Sequence, residues 1–86
     1  MRETGQDLSP DVARRMVIDV LGSIAPGPQL DALSPDDDLR ETLGLDSLDF
    51  RSLVAGVSER SGRRIEEDDY ERLTDLNGWI SLLTEN

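Results

Sequence analysis

Apolar residues recur at helical spacing in three stretches of the chain, separated by polar segments rich in turn formers. Val12, Met16, Val17, Val20, Leu21 and Ile24 mark the buried stripe of a first helix, with Arg14, Arg15 and Asp19 on its other side. Ser9-Pro10-Asp11 supplies the start of that helix: a capping hydroxyl, a proline at the first position and an acid in the first turn. Pro26-Gly27-Pro28 stops it. A second helix runs from about Ser47 to Ser61 and ends at Gly62, with Phe50, Leu53, Val54 and Val57 as its buried stripe. Ser47, Leu48, Arg51, Ser52, Ala55 and Glu59 are left on its outer side. Gly56 in mid-helix costs about 1 kcal/mol relative to alanine, which points to a close helix contact there. Leu76, Trp79, Ile80 and Leu83 form the apolar face of a last helix capped by Thr74 or Asp75, with Trp79 as a packing residue.

Two intervening segments are less regular. Gln29 to Gly44 is a long connection with anchors at Leu30, Leu33, Leu39 and Leu43, which should pin it across the helices. Ser34-Pro35 suggests the start of a single helical turn, with Asp36 to Asp38 at its positive end. After Gly62-Arg63-Arg64, Ile65 is an isolated anchor, and Glu66 to Arg72 reads as a short helix that turns Tyr70 and Leu73 inward. The predicted architecture is all-α: a small four-helix bundle of three main helices plus one short helix, with a long loop after the first. Residues 1–8 carry no periodicity and are expected to be a flexible lead-in to a domain over residues 9–86.

Eighty-six residues allow one core, and with 36% apolar and only 3% aromatic residues that core must be mostly aliphatic. The chain lacks cysteine, which removes disulfides, thiolate metal sites and thiol nucleophiles. Neither a membrane span nor a signal peptide is apparent, so a cytoplasmic protein is expected, and the lack of an exposed apolar stripe beyond the bundle core points to a monomer. The 19 acidic residues against 9 basic ones, for a net charge of -10, make nucleic acids and anionic lipids poor partners and basic protein patches good ones. Like-charge crowding should also weaken the fold, so added salt or a divalent cation is expected to raise the melting temperature; a flat salt response would contradict this.

Autonomous catalysis has little support. Histidine is absent, so no Ser-His couple exists and no side chain titrates near neutrality without a shift. Asp36 to Asp38 and Glu66 to Asp69 are candidate metal cages, but acids near helix starts are more simply solvated, and no metal is expected. The most informative stretch is Leu43-Gly44-Leu45-Asp46-Ser47-Leu48-Asp49-Phe50, a tight turn opening into the second helix. Gly44 suits a sharp reversal, Asp46 the N-cap, and Asp49 the position of a capping box. Ser47 then falls at the first helical position, where its hydroxyl faces water. By default such a serine is only part of a cap. An exposed hydroxyl at a helix N-terminus also suits an enzyme that attaches a phosphate-linked group, because the helix end favours anions.

Leu43-Gly44-Leu45-Asp46-Ser47-Leu48-Asp49 resembles the attachment motif of acyl carrier proteins, a Gly-x-Asp-Ser-Leu core. The similarity extends over nearly the whole chain, through its length, acidity, helix placement, long first loop and the later Ile65…Asp69-Tyr70…Leu73 pattern. The resemblance implies a four-helix bundle that is not an enzyme but a substrate of a phosphopantetheinyl transferase. That enzyme moves 4'-phosphopantetheine from coenzyme A onto Ser47. The arm then carries acyl groups as thioesters to enzymes of a fatty acid, polyketide or specialised lipid pathway.

The resemblance also makes the helix after the serine a docking surface for partners with basic patches. Asp46, Leu48 and Asp49 match the motif, Glu59 lies on the same side, and Arg51 is a candidate for tuning partner choice. Arg51, Ser52, Gly56, Ser58 and Arg60 replace acids that relatives in fatty acid synthesis often carry, and Glu66 stands where many have proline, which points to a specialised pathway. Val54, Val57, Ile65 and Leu73 are core residues first, with a cleft admitting an acyl chain as a second reading. The competing functions are an unmodified acidic interaction module and, with no support in the sequence, a small carboxylate hydrolase.

Overall fold

In the computed structural model, which describes residues 8–85, the first helix, α1, spans Pro10–Ile24. The Ser9 hydroxyl accepts from the Val12 amide at 3.2 Å, and Pro10 sits where no donor is needed. The buried face of α1 is Ala13, Val17, Val20 and Leu21. Val12, expected in the stripe, is instead 49% exposed. At 3.6 residues per turn, a stripe through Ala13 and Val17 turns residue 12 outward, and hydrophobicity alone favours the larger valine over the alanine beside it. Met16 and Ile24 are half-buried.

The long connection contains two short helices, α2 (Pro28–Asp31) and α3 (Leu39–Leu43). Pro28, read as a stop signal, also opens α2 at its first position. The helical turn expected from Ser34-Pro35 is a tight turn instead. The Asp37 amide donates to the Ser34 carbonyl at 3.0 Å, and the Ser34 amide to Asp37 Oδ2 at 2.9 Å. Helix starts only at Asp38, whose Oδ1 caps the Glu41 amide at 3.0 Å. The expected leucine anchors do hold the loop: Leu33 and Leu39 are buried, Leu30 and Leu43 half-buried. Polar bonds strap it to the start of the last helix, with the Leu39 amide donating to the Thr74 carbonyl at 2.8 Å and Asn77 Nδ2 to Asp36 Oδ1 at 2.6 Å.

Helix α4 (Ser47–Ser61) has the expected bounds and the expected buried face, Phe50, Leu53, Val54 and Val57, and ends at Gly62 with φ 71°. It packs on α1, and a Cβ on Gly56 would come within 2.7 Å of Val20 Cγ1. That is the close contact implied by a glycine in mid-helix. The expected short helix is a 3₁₀ helix, Glu67–Arg72, followed by fully buried Leu73. Asp75, rather than Thr74, caps α5 (Leu76–Thr84) by accepting from the Gly78 amide at 2.9 Å. Leu76, Trp79, Leu82 and Leu83 are buried there, with Ile80 half-buried. Trp79 is a packing residue, as expected; its indole N–H is buried without a partner. Helix α1 lies against both α4 and α5, and among the described residues all regular structure is helical. Three main helices and one short one therefore form the predicted bundle, with α2 and α3 added inside the loop. Most of the expected lead-in lies outside the described residues; Leu8, at its end, packs against the core.

The end of α5 is held by two arginines. Arg63 Nη1 donates to the Glu85 carbonyl at 2.6 Å, and Arg72 pairs with the Glu85 carboxylate. The Arg72 hydrogen bond, reinforced by the charges of Arg72 and Arg63, holds the Glu85 carboxyl below the usual carboxylate range. A carboxyl depressed in the folded state stabilises the fold above its unfolded pKa, and loses that contribution as the pH falls through the folded value. Glu85→Gln should therefore lower the melting temperature slightly at pH 7, with the gap to wild type closing in acid. A gap that persists below the carboxylate range would show that the ion pair is not its source.

Candidate functional site

The turn before α4 is built by backbone geometry. Gly44 closes α3 at φ 68°, and a Cβ there would meet nothing within 4 Å, so the left-handed backbone is what favours glycine. The Leu45 amide donates to the Arg40 carbonyl at 2.9 Å, and the Leu45 side chain is buried. Leu45 is an anchor that periodicity does not reveal, since it stands alone between a turn and a cap. Asp46 and Asp49 then form a reciprocal capping box: the Asp49 amide donates to Asp46 Oδ1 at 2.8 Å and the Asp46 amide to Asp49 Oδ2 at 3.3 Å. Ser47 is the first residue of α4 and is exposed; Leu48 beside it is 71% exposed and so is not a core residue.

This arrangement separates Ser47 from serines that serve the fold. Ser9 caps α1, while Ser58 donates to the Arg63 carbonyl at 2.7 Å and Ser61 accepts from the Arg63 amide at 3.1 Å. Among the described residues no hydrogen bond holds the Ser47 hydroxyl. Asp46 and Asp49, its nearest carboxylates in sequence, are turned toward backbone amides, and the chain has no histidine. The site therefore presents an accessible alcohol with no base bonded to it among the described residues.

Along α4, Leu48, Arg51, Ser52, Val54, Ala55 and Ser58 line one side of an open groove of about 690 Å³, faced by Ile65 and Tyr70. Of the four residues expected around a cleft, Val54 and Ile65 line this groove, whereas Val57 and Leu73 are fully buried in the core. The Tyr70 ring meets the buried Phe50 ring edge to face at 5.2 Å, and the Arg40 guanidinium lies 5.5 Å from the Phe50 ring centre. The meeting of Arg40 and Tyr70 on Phe50 was not legible in the sequence, because folding across the Gly44 turn and the 3₁₀ helix brings them together. Asp46, Ser47, Leu48, Arg51 and Glu59 all lie exposed at or along α4, with Asp49 half-buried. Glu59 stands roughly 18 Å further along the helix than Ser47.

The two acidic runs form no cage. Asp37, Asp38 and Asp69 each accept a local hydrogen bond and Asp36 a long-range one from Asn77, and no group of three candidate ligands is placed to hold a metal among the described residues.

A protein-family model described as a phosphopantetheine attachment site matches residues 11–83, nearly the whole bundle. The chain belongs to the acyl carrier protein family, the phosphopantetheine-binding carriers. No curated protein and no solved structure matches the chain. Carriers of this family hold a covalently attached 4'-phosphopantetheine and are generally non-catalytic substrates of a phosphopantetheinyl transferase. The donor set of this carrier fits that group: an exposed, unengaged alcohol at the front of a long helix, beside an open groove. No helix among its described residues is long and apolar enough to cross a membrane.

Proposed function

We propose that Ser47 is the attachment point of the arm, and that the protein carries acyl groups as thioesters between partner enzymes. The exposure of the Ser47 hydroxyl at the first position of α4, inside the segment that matches the carrier family, supports this reading above all. In the loading step the Ser47 oxygen forms a new bond to phosphorus. Its proton passes to a base on the transferase, and the phosphorus–oxygen bond to the nucleotide half of coenzyme A breaks, that half leaving with the electron pair. The base is assigned to the transferase, since Asp46 and Asp49 each spend one carboxylate oxygen on a backbone amide and the chain has no histidine. Once bound, the group supplies the thiol that a chain without cysteine lacks.

The chain's own residues supply the docking surface. Asp46, Leu48, Asp49, Arg51 and Glu59 present an acidic strip with one exposed leucine and one arginine to basic partners. The sparse acids on α4 favour a specialised lipid or natural-product pathway over bulk fatty acid synthesis. A monomer in the cytoplasm fits this role. The groove is the nearest apolar shelter for cargo. Loading with long rather than short acyl chains should shift the NMR resonances of Val54, Ile65 and Tyr70 more than those of Val57 and Leu73. Identical spectra for the two loads would argue that cargo stays in solvent.

The direct test is intact mass after incubation with coenzyme A and a promiscuous phosphopantetheinyl transferase, with one added arm expected. A chain that gains no mass across several transferases would leave an unmodified acidic interaction module as the better reading.

A further inference from the structure

Ser47 and Arg51 are both exposed and stand four residues apart on α4. Residues at that spacing are surface neighbours, about 5–6 Å apart at Cβ. Helical side chains incline toward the N-terminus, so Arg51 leans back toward the serine. Arg51 also lines the groove at the end marked by Leu48. Among the described residues, the ion pairs are made by Arg60, Arg63, Arg64 and Arg72, and Arg51 takes part in none of them. A phosphodiester on Ser47 would add an anion beside Asp46 and Asp49, whose charges are fixed in place by the capping box. A guanidinium one turn away answers that crowding, and its fork of donors matches two phosphate oxygens.

We propose that Arg51 is a positioning residue for the arm, pairing with the phosphodiester on Ser47 and directing the arm along the groove between α4 and the Ile65–Tyr70 segment. The inference rests on the carrier reading. An exposed pair of this kind contributes little to stability, so its effect is on where the arm points rather than on the fold.

The test uses wild type, Arg51→Gln and Arg60→Gln, each loaded by a transferase and checked by intact mass. Arg60 lies near the far end of the same helix, so its replacement removes the same charge at a distance. A wild type that takes up no arm refutes the carrier reading itself; once mass is gained, the phosphorus spectrum bears on Arg51 alone. The 31P resonance of loaded wild type should be displaced from that of Arg51→Gln and shared with Arg60→Gln. Raising salt to about 1 M, where the screening length is about 3 Å, should move the wild-type resonance toward the Arg51→Gln position. The Arg51 Nε–H resonance should also move between unloaded and loaded wild type. Coincident 31P resonances in all three proteins, equal displacement by both substitutions, or an Arg51 signal unmoved by loading would each overturn the proposal.

Discussion

Ser47→Ala should remove all mass gain on incubation with coenzyme A and a phosphopantetheinyl transferase, and leave the bundle folded. The two halves of this expectation have separate causes. On the proposed reading, loading uses the one oxygen that the substitution deletes, whereas Ser9, Ser58 and Ser61 are tied to backbone groups. Folding does not need it, because the capping box runs between Asp46 and Asp49 and bypasses residue 47. Alanine is a better helix former than serine, and an exposed substitution outside any cap changes stability by roughly 0.5 kcal/mol or less. Intact mass and thermal melting check the two parts together. A variant that still gained one arm would move the attachment to another residue. One that unfolded would place the serine in the scaffold instead.

Gly78→Ala should be the most damaging of the glycine-to-alanine changes among the described residues. A Cβ on Gly78 would fall on the Arg72 carbonyl oxygen and lie 2.8 Å from the carbonyl carbon, both backbone atoms. The end of the 3₁₀ helix and the first turn of α5 meet at this point, between fully buried Leu73, Leu76 and Trp79. Relief requires the helix start to lift from the core. Overpacking typically costs 1–3 kcal/mol, and a clash with backbone belongs at the top of that range; after helix propensity returns about 1 kcal/mol, a net loss of about 2 kcal/mol and a drop of roughly 8–16 °C in Tm are expected. Gly56→Ala is the informative comparison. Its Cβ would come within 2.7 Å of a Val20 methyl, a side-chain atom with more room to yield than backbone, so the loss there should be clearly smaller. Equal melting temperatures for the two variants would contradict the close approach of α5 to the 3₁₀ helix.

The features legible in the sequence share one property: their partners lie within a few residues of each other. Ser9 with Val12, Asp46 with Asp49 and the left-handed turns at Gly44 and Gly62 are local contacts, and α4 accordingly has the bounds and the buried face that its residues imply. The accessible hydroxyl of Ser47 belongs to the same class, because a cap and a first helical position decide it without help from distant chain. Helix starts inside the long loop were less legible, since Ser34-Pro35 and Asp38 offer competing local signals and the strap from Asn77 to Asp36 is long-range.

The sequence by itself determined the helical bundle, the turn and cap that present Ser47, and the acidic character of the surface, all set by composition or by neighbours along the chain. Only the tertiary structure decided that Ala13 rather than Val12 faces the core, that Val54 and Ile65 line a groove while Val57 and Leu73 do not, and that Gly78 touches backbone. Each of those outcomes depends on which helix lies opposite and how closely, and a one-dimensional pattern of apolar and polar residues does not carry that distance.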